Sequence, residues 1–204
     1  MADCGCEFEA KTKAELRVLR ILLGINAVMF AVEFAAGLVA ESTGLLADSL
    51  DMLADAFVYG ISLYAVGRAL SLKARAARTS GFVQILLGLG VLAEVCRRFL
   101  LGSEPESVLM LSFGSLALVA NLTCLALLTK HRKGEVHMRA SWIFSTNDVL
   151  ANLGVILSGI LVAVTASHIP DLVIGLLISA LVVRGGLAIL REAKAASTDG
   201  GERT

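Results

Sequence analysis

Residues 46–55 read Leu-Ala-Asp-Ser-Leu-Asp-Met-Leu-Ala-Asp, three aspartates within an otherwise apolar run. Asp48, Asp51 and Asp55 stand at spacings of three and four, so at about 3.6 residues per turn they share one face of a helix. The surrounding stretch, 43–67, is long enough to cross a bilayer core about 30 Å thick. An acid at the centre of such a helix costs about 2.5–3.5 kcal/mol on insertion scales, so three on one stripe point to a function. Asp51 and Asp55 are one turn apart, and carboxylates about 5–6 Å from each other repel in a medium of low dielectric. They require either a retained proton or a cation between them, and the spacing leaves both alternatives open. Asp48, just after Ser42-Thr43-Gly44, is also placed to cap the start of the helix.

Working outward, apolar stretches of similar length fall at 21–40, 79–97, 107–129, 140–167 and 172–190. With 43–67 they predict an all-α integral membrane protein of six transmembrane helices. Composition agrees: 56% of the 204 residues are hydrophobic and 18% charged, against about 45–50% and 25% in a soluble domain. Arg184 interrupts the last stretch and must reach an interface or a partner. Gly24, Gly37, Gly88 and Gly90 are expected where helices pack closely in lipid.

The predicted organisation is a tail over residues 1–20 carrying Cys4-Gly5-Cys6, a six-helix domain over 21–190, and a short frayed tail over 191–204. The first apolar run exceeds the about 7–15 residues of a signal-peptide core and contains Glu33, so it reads as a retained helix. Lys and Arg concentrate in the N-terminus, the second and fourth loops and the C-terminal tail, which predicts both termini in the cytoplasm. The expected location is a bacterial inner or plasma membrane. Formal net charge is zero, from 18 acidic and 18 basic residues, which removes the basic excess of a nucleic-acid binder. Four cysteines, two of them in apolar runs, do not make a disulfide framework.

Six acids fall inside predicted spans: Glu33, Asp48, Asp51, Asp55, Glu94 and Asp148. In the fifth span Ser141, Ser145, Asp148 and Asn152 form a stripe of oxygen-bearing side chains with Asp148 its only charge. Asn26 and Glu33, seven apart in the first span, share a face and are candidates to support the site from behind. Helical serines often bond back to their own backbone, so Asp148 is the principal candidate of its stripe. No activated nucleophile or water-exposed acid–base pair suggests an enzyme, and no prosthetic group is expected.

The sequence resembles the cation diffusion facilitators, a cation efflux family of divalent-metal transporters. The resemblance rests on Asn26 and Glu33, on ESTGLLADSLDMLAD at 41–55, on Glu94, and on HMRASWIFSTND at 137–148 continuing into Asn152-Leu-Gly. It implies a short form consisting of the transmembrane domain only, with any homodimer formed through the membrane helices. It also implies loading of a divalent cation from the cytoplasm and exchange for protons. Residue by residue it assigns Asp51, Asp55 and Asp148 as metal ligands; by their placement on the helices, Ser145, Asn152, Ser141, Asp48, Asn26 and Glu33 are candidates for further ligands or supports. The family's fourth ligand position falls on Phe144, whose ring has no lone pair to give. Three carboxylates without imidazole make a hard site and shift preference toward manganese, iron(II) or cobalt, with zinc and cadmium remaining candidates. Cys4 and Cys6 offer two thiolates for capture of a soft cation. The rival readings are a metal-binding sensor or assembly partner that no longer transports, and a small proton-coupled exporter of organic cations. Only 5% of the residues are aromatic, which disfavours the latter, since organic cations are recognised by aromatic walls.

Overall fold

A computed structural model describes residues 4–65, 70–129 and 136–199. They form six helices: α1 (Cys4–Val39), α2 (Thr43–Ala65), α3 (Leu70–Leu101), α4 (Ser107–Thr129), α5 (Val136–Thr165) and α6 (Ile169–Asp199). There is no strand among the described residues.

Local chemistry sets the boundaries. After α1, Glu41 takes the left-handed backbone conformation, and Ser42 then accepts the Leu45 amide at 3.1 Å, which caps the first turn of α2. Gly102, at φ 83°, ends α3, the usual role of glycine just past a helix. Its amide donates back to the Arg98 carbonyl at 2.8 Å. Ala166 is also left-handed, and Pro170 sits in the first turn of α6, where its missing N–H costs nothing.

Several helices extend beyond their predicted bounds: α3 runs over Leu70–Leu101 against 79–97, and α1 and α6 gain the most. The tail expected over residues 1–20 is drawn into α1 from Cys4 onward, and α6 continues to Asp199 through the tail expected to fray. In both places Ala, Glu, Lys and Arg dominate, and these residues favour helix once a neighbouring helix has nucleated it. Among the described residues four segments are long and apolar enough to cross a membrane on composition: Leu16–Val39, Ser107–Thr129, Ser145–Thr165 and Ile169–Arg191. The other two helices carry several charged residues each, among them Asp48, Asp51 and Asp55 in α2 and Glu94, Arg97 and Arg98 in α3.

α2 occupies the centre and packs against all five other helices, while α3 lies along α6, α1 along α2 and α4 along α5. One apolar cluster, including Ala47, Val91, Met110, Val155 and Val182, fills the half of the bundle around the first turns of α2. A second, around Leu19, Leu22, Tyr59 and Leu128, fills the opposite half between α1, α2 and α4. Large apolar side chains such as Leu86, Val119, Leu161, Val164 and Leu177 face outward, the surface expected of helices solvated by lipid.

Glycine packing divides the expectation. At Gly37 an added Cβ would stand 2.9 Å from the Leu46 amide nitrogen, and at Gly88 one would stand 2.6 Å from Val183. Both are close approaches. Gly24 and Gly90 face open space, so they do not serve helix contact as expected.

Candidate functional site

A cavity of about 340 Å³ opens between α2, α3, α5 and α6, lined by Asp51, Asp55, Gln84, Asp148, Arg184 and Gly185 among others. At about 1.5 Å per residue, Asp51 and Asp55 lie about 12 and 18 Å from the first residue of α2, so the cavity sits at mid-bundle. Toward the C-terminal half of α6 it continues past Arg184 to Ala188.

Asp51 and Asp55 of α2 face the same cavity as Asp148 of α5 across the α2–α5 interface. Asp55 and Asp148 are each 8% exposed. Tyr59, one turn beyond Asp55, donates its hydroxyl to the Asp55 Oδ2 at 3.3 Å. Among the described residues no three His, Cys, Asp or Glu side chains are already drawn together closely enough to hold a metal ion. The three aspartates thus border an open space rather than a closed coordination shell.

Beyond this cavity, toward the first turn of α2, lies a second polar group. Glu33 of α1 and Asp48 of α2 are buried side by side. Asn152 donates at 3.4 Å to the Asp48 Oδ1 and at 2.8 Å to the Asp148 carbonyl. Both Glu33 oxygens, the Asp48 Oδ2 and the Asn152 Oδ1 lack a hydrogen-bond partner, an expensive arrangement inside a membrane protein. Asp48 is therefore bonded to Asn152, and the Ser42 hydroxyl takes the capping position at the start of α2.

The remaining candidates separate. Ser145 is fully buried with an unpartnered hydroxyl one turn before Asp148. Asn26 makes its contacts elsewhere: its amide donates to the Leu22 carbonyl at 2.9 Å and meets the Cys124 sulfur at 3.8 Å. Glu94, expected inside a span, is instead ion-paired with Arg97 at 2.7 Å and Arg98 at 2.6 Å near the end of α3. The side chains of Ser141, Phe144, Cys4 and Cys6 lie outside the described residues.

Four side chains of consequence escaped the sequence-based site: Tyr59, Gln84, Arg184 and Asp171. Tyr59 was within reach, since it continues the stripe of Asp51 and Asp55 at the next turn. Gln84 and Arg184 reach the cavity only through the packing of α3 and α6 on α2, which no local spacing encodes. Asp171 lies in the first turn of α6 but caps α2: its Oδ1 accepts the Ser42 hydroxyl at 2.6 Å and the Gly44 amide at 3.0 Å. The Thr43 amide donates to its other oxygen. This anion at a helix N-terminus ties together the ends of α2 and α6 on the side opposite Arg184.

Six helices, four of them with segments long and apolar enough among the described residues to cross a membrane, make this a membrane protein of the helical-bundle class. The chain matches the cation efflux transmembrane domain over residues 19–196, nearly its whole length, and it belongs to the cation efflux family. That family is a class of cation transporters rather than of enzymes. A comparison with curated proteins finds no match.

Proposed function

We propose that this membrane protein exports a divalent metal ion from the cytoplasm in exchange for protons, with Asp51, Asp55 and Asp148 as its intramembrane ligands. The observation that carries the reading is the convergence of these three carboxylates, from two helices, on one cavity at mid-bundle. Carboxylates bring anionic oxygen, the donor suited to Mn²⁺ and Fe²⁺ and acceptable to Co²⁺, Zn²⁺ and Cd²⁺. The cavity runs toward the α6 end that the distribution of Lys and Arg assigns to the cytoplasm. At the opposite end the Asp171 contacts bind α2 to α6. Both features support the reading of a carrier open to the cytoplasm.

Exchange follows from competition. In the inward-open form the ionised aspartates capture the cation and draw together around it. In the outward-open form protons compete for the same oxygens and release it, then return with the empty carrier. Glu33 and Asp48, buried acceptors on the far side of the ligands, supply a stopping place for those protons.

The test is metal-dependent proton flux in proteoliposomes across Mn, Fe(II), Co, Zn and Cd. A metal gradient should drive opposing proton movement for at least one of them. Metal binding without flux for any ion would instead identify a sensor or assembly partner.

A further inference from the structure

Asp51, Asp55 and Asp148 supply three side-chain donors, one fewer than even a four-coordinate site needs. We propose that Gln84 of α3 completes the set, giving the bound cation an uncharged amide oxygen. This rests on the reading of Asp51, Asp55 and Asp148 as the metal site.

Three observations place Gln84 in that role. It lines the same cavity as the three aspartates, from the helix that closes the cavity's other wall. It is only 6% exposed, and its Oε1 is buried without a hydrogen-bond partner. A buried amide oxygen left unpaired is disfavoured in any folded protein and more so within a bilayer, so its presence calls for an occupant that accepts its lone pairs. A divalent cation does so, since hard cations take side-chain amide oxygens into their shells beside carboxylates.

The third observation is how the amide is held. A Cβ at Gly185 would stand 2.9 Å from the Gln84 Nε2 and 3.9 Å from its Oε1. The nitrogen thus rests against the bare backbone of α6 and the oxygen is directed away from it. Any larger residue at 185 would push the amide out of place. The register that produces this contact is fixed on the same pair of helices, where Ser179 Oγ donates to the Gly88 carbonyl at 2.8 Å.

A neutral oxygen also suits the charge of the cavity. Three ionised aspartates already exceed the charge of a divalent cation, and a fourth carboxylate would add repulsion in the empty state. An amide completes coordination without it.

The experiment uses the purified full-length chain in detergent, with Mn²⁺ and Cd²⁺ affinities measured by competition against a fluorescent chelator. Gln84→Met keeps the side-chain volume and replaces the hard oxygen by a soft thioether. It should weaken Mn²⁺ by roughly tenfold or more, the scale seen even for groups that only support a ligand, and weaken Cd²⁺ less. Gln84→Glu keeps an oxygen in place and should hold Mn²⁺ at least as tightly as wild type. A purely structural role for Gln84 would lower both metals alike. Wild-type Mn²⁺ affinity in folded Gln84→Met, or parallel loss of Mn²⁺ and Cd²⁺, overturns the proposal. If Gln84→Met does not fold, Gln84→Asn decides: it draws the oxygen back by one methylene, so unchanged Mn²⁺ affinity overturns the proposal and a loss beside intact Gln84→Glu supports it. Asp51→Asn separates the two layers of the argument. Unchanged binding in that variant refutes the aspartate site itself, whereas lost binding there with unaltered Gln84→Met refutes only the fourth ligand.

Discussion

The Asp171 carboxylate at the start of α6 accepts the Ser42 hydroxyl at 2.6 Å, so one helix is capped by a side chain from another. Asp171 and Ser42 are both fully buried, and the same carboxylate receives the amides of Thr43 and Gly44. Loss of a cap costs about 0.5–2 kcal/mol, and loss of a buried anion bonded to several donors falls at the upper end. Asp171→Ala should therefore lower the thermal unfolding midpoint in detergent, by an amount corresponding to about 2 kcal/mol. Asp171→Asn, which keeps acceptance at one oxygen, should lower it less. Equal stability of all three proteins would show that the contact contributes nothing.

The proposed ligands make the sharpest transport prediction. Asp51→Asn, Asp55→Asn and Asp148→Asn each keep side-chain size and remove one anionic donor. Each should abolish metal flux in proteoliposomes while expression and membrane insertion persist. Because protons and metal compete for these oxygens, acidifying the loading side should weaken wild-type metal binding progressively. Normal flux in any well-inserted single variant would remove that residue from the site.

Arg184 bears on the same cavity from α6. Among the described residues it forms no ion pair, yet it lines the space that holds three carboxylates. Its positive charge therefore opposes an arriving cation. For unit and double charges about 10 Å apart in a watery cavity, Coulomb's law gives about 0.8 kcal/mol, on the order of a fourfold change in affinity. Arg184→Gln should tighten Mn²⁺ binding by that factor and slow release, whereas Arg184→Lys should resemble wild type. Titration calorimetry on the three proteins measures the first effect, and single-turnover efflux the second. Unchanged affinity in Arg184→Gln would place the guanidinium outside the field of the site.

What could be read from the sequence was what one helix encodes by itself. The 3.6-residue period placed Asp48, Asp51 and Asp55 on a single stripe, and apolar length marked all six helices. Relations between helices were not encoded locally. Asn26 and Glu33 share a face of α1, yet in the bundle Glu33 meets Asp48 while Asn26 meets Cys124. Gln84 stands as a lone polar residue in the apolar run of α3, and only the neighbouring Gly185 reveals that its amide is seated. Glu94 failed for the opposite reason. Its partners Arg97 and Arg98 were three and four residues away, and counting apolar length passed over a pairing that helical spacing itself predicts.

Phe144 tests whether the family's geometry transfers to this chain. It precedes Asp148 by four residues within the continuous helix α5, so the two positions lie on one face, a turn apart. Replacing the phenyl ring by imidazole puts a nitrogen donor where none exists. Zinc gains more from imidazole than manganese does, so Phe144→His should raise zinc affinity relative to manganese. The imidazole must be neutral to coordinate, so the gain should fade as pH falls through the range where histidine takes up its proton, near an unperturbed value of about 6.5. Titration of wild type and variant with both metals at two pH values measures the ratio and its pH dependence together. If Gln84 already fills the fourth position, the added nitrogen raises coordination beyond four, and combining Phe144→His with Gln84→Met should restore zinc binding but not manganese binding. A zinc-to-manganese ratio unmoved in a well-folded Phe144→His protein would mean that position 144 faces away from the cation, and that α5 contributes only Asp148 as a charged ligand.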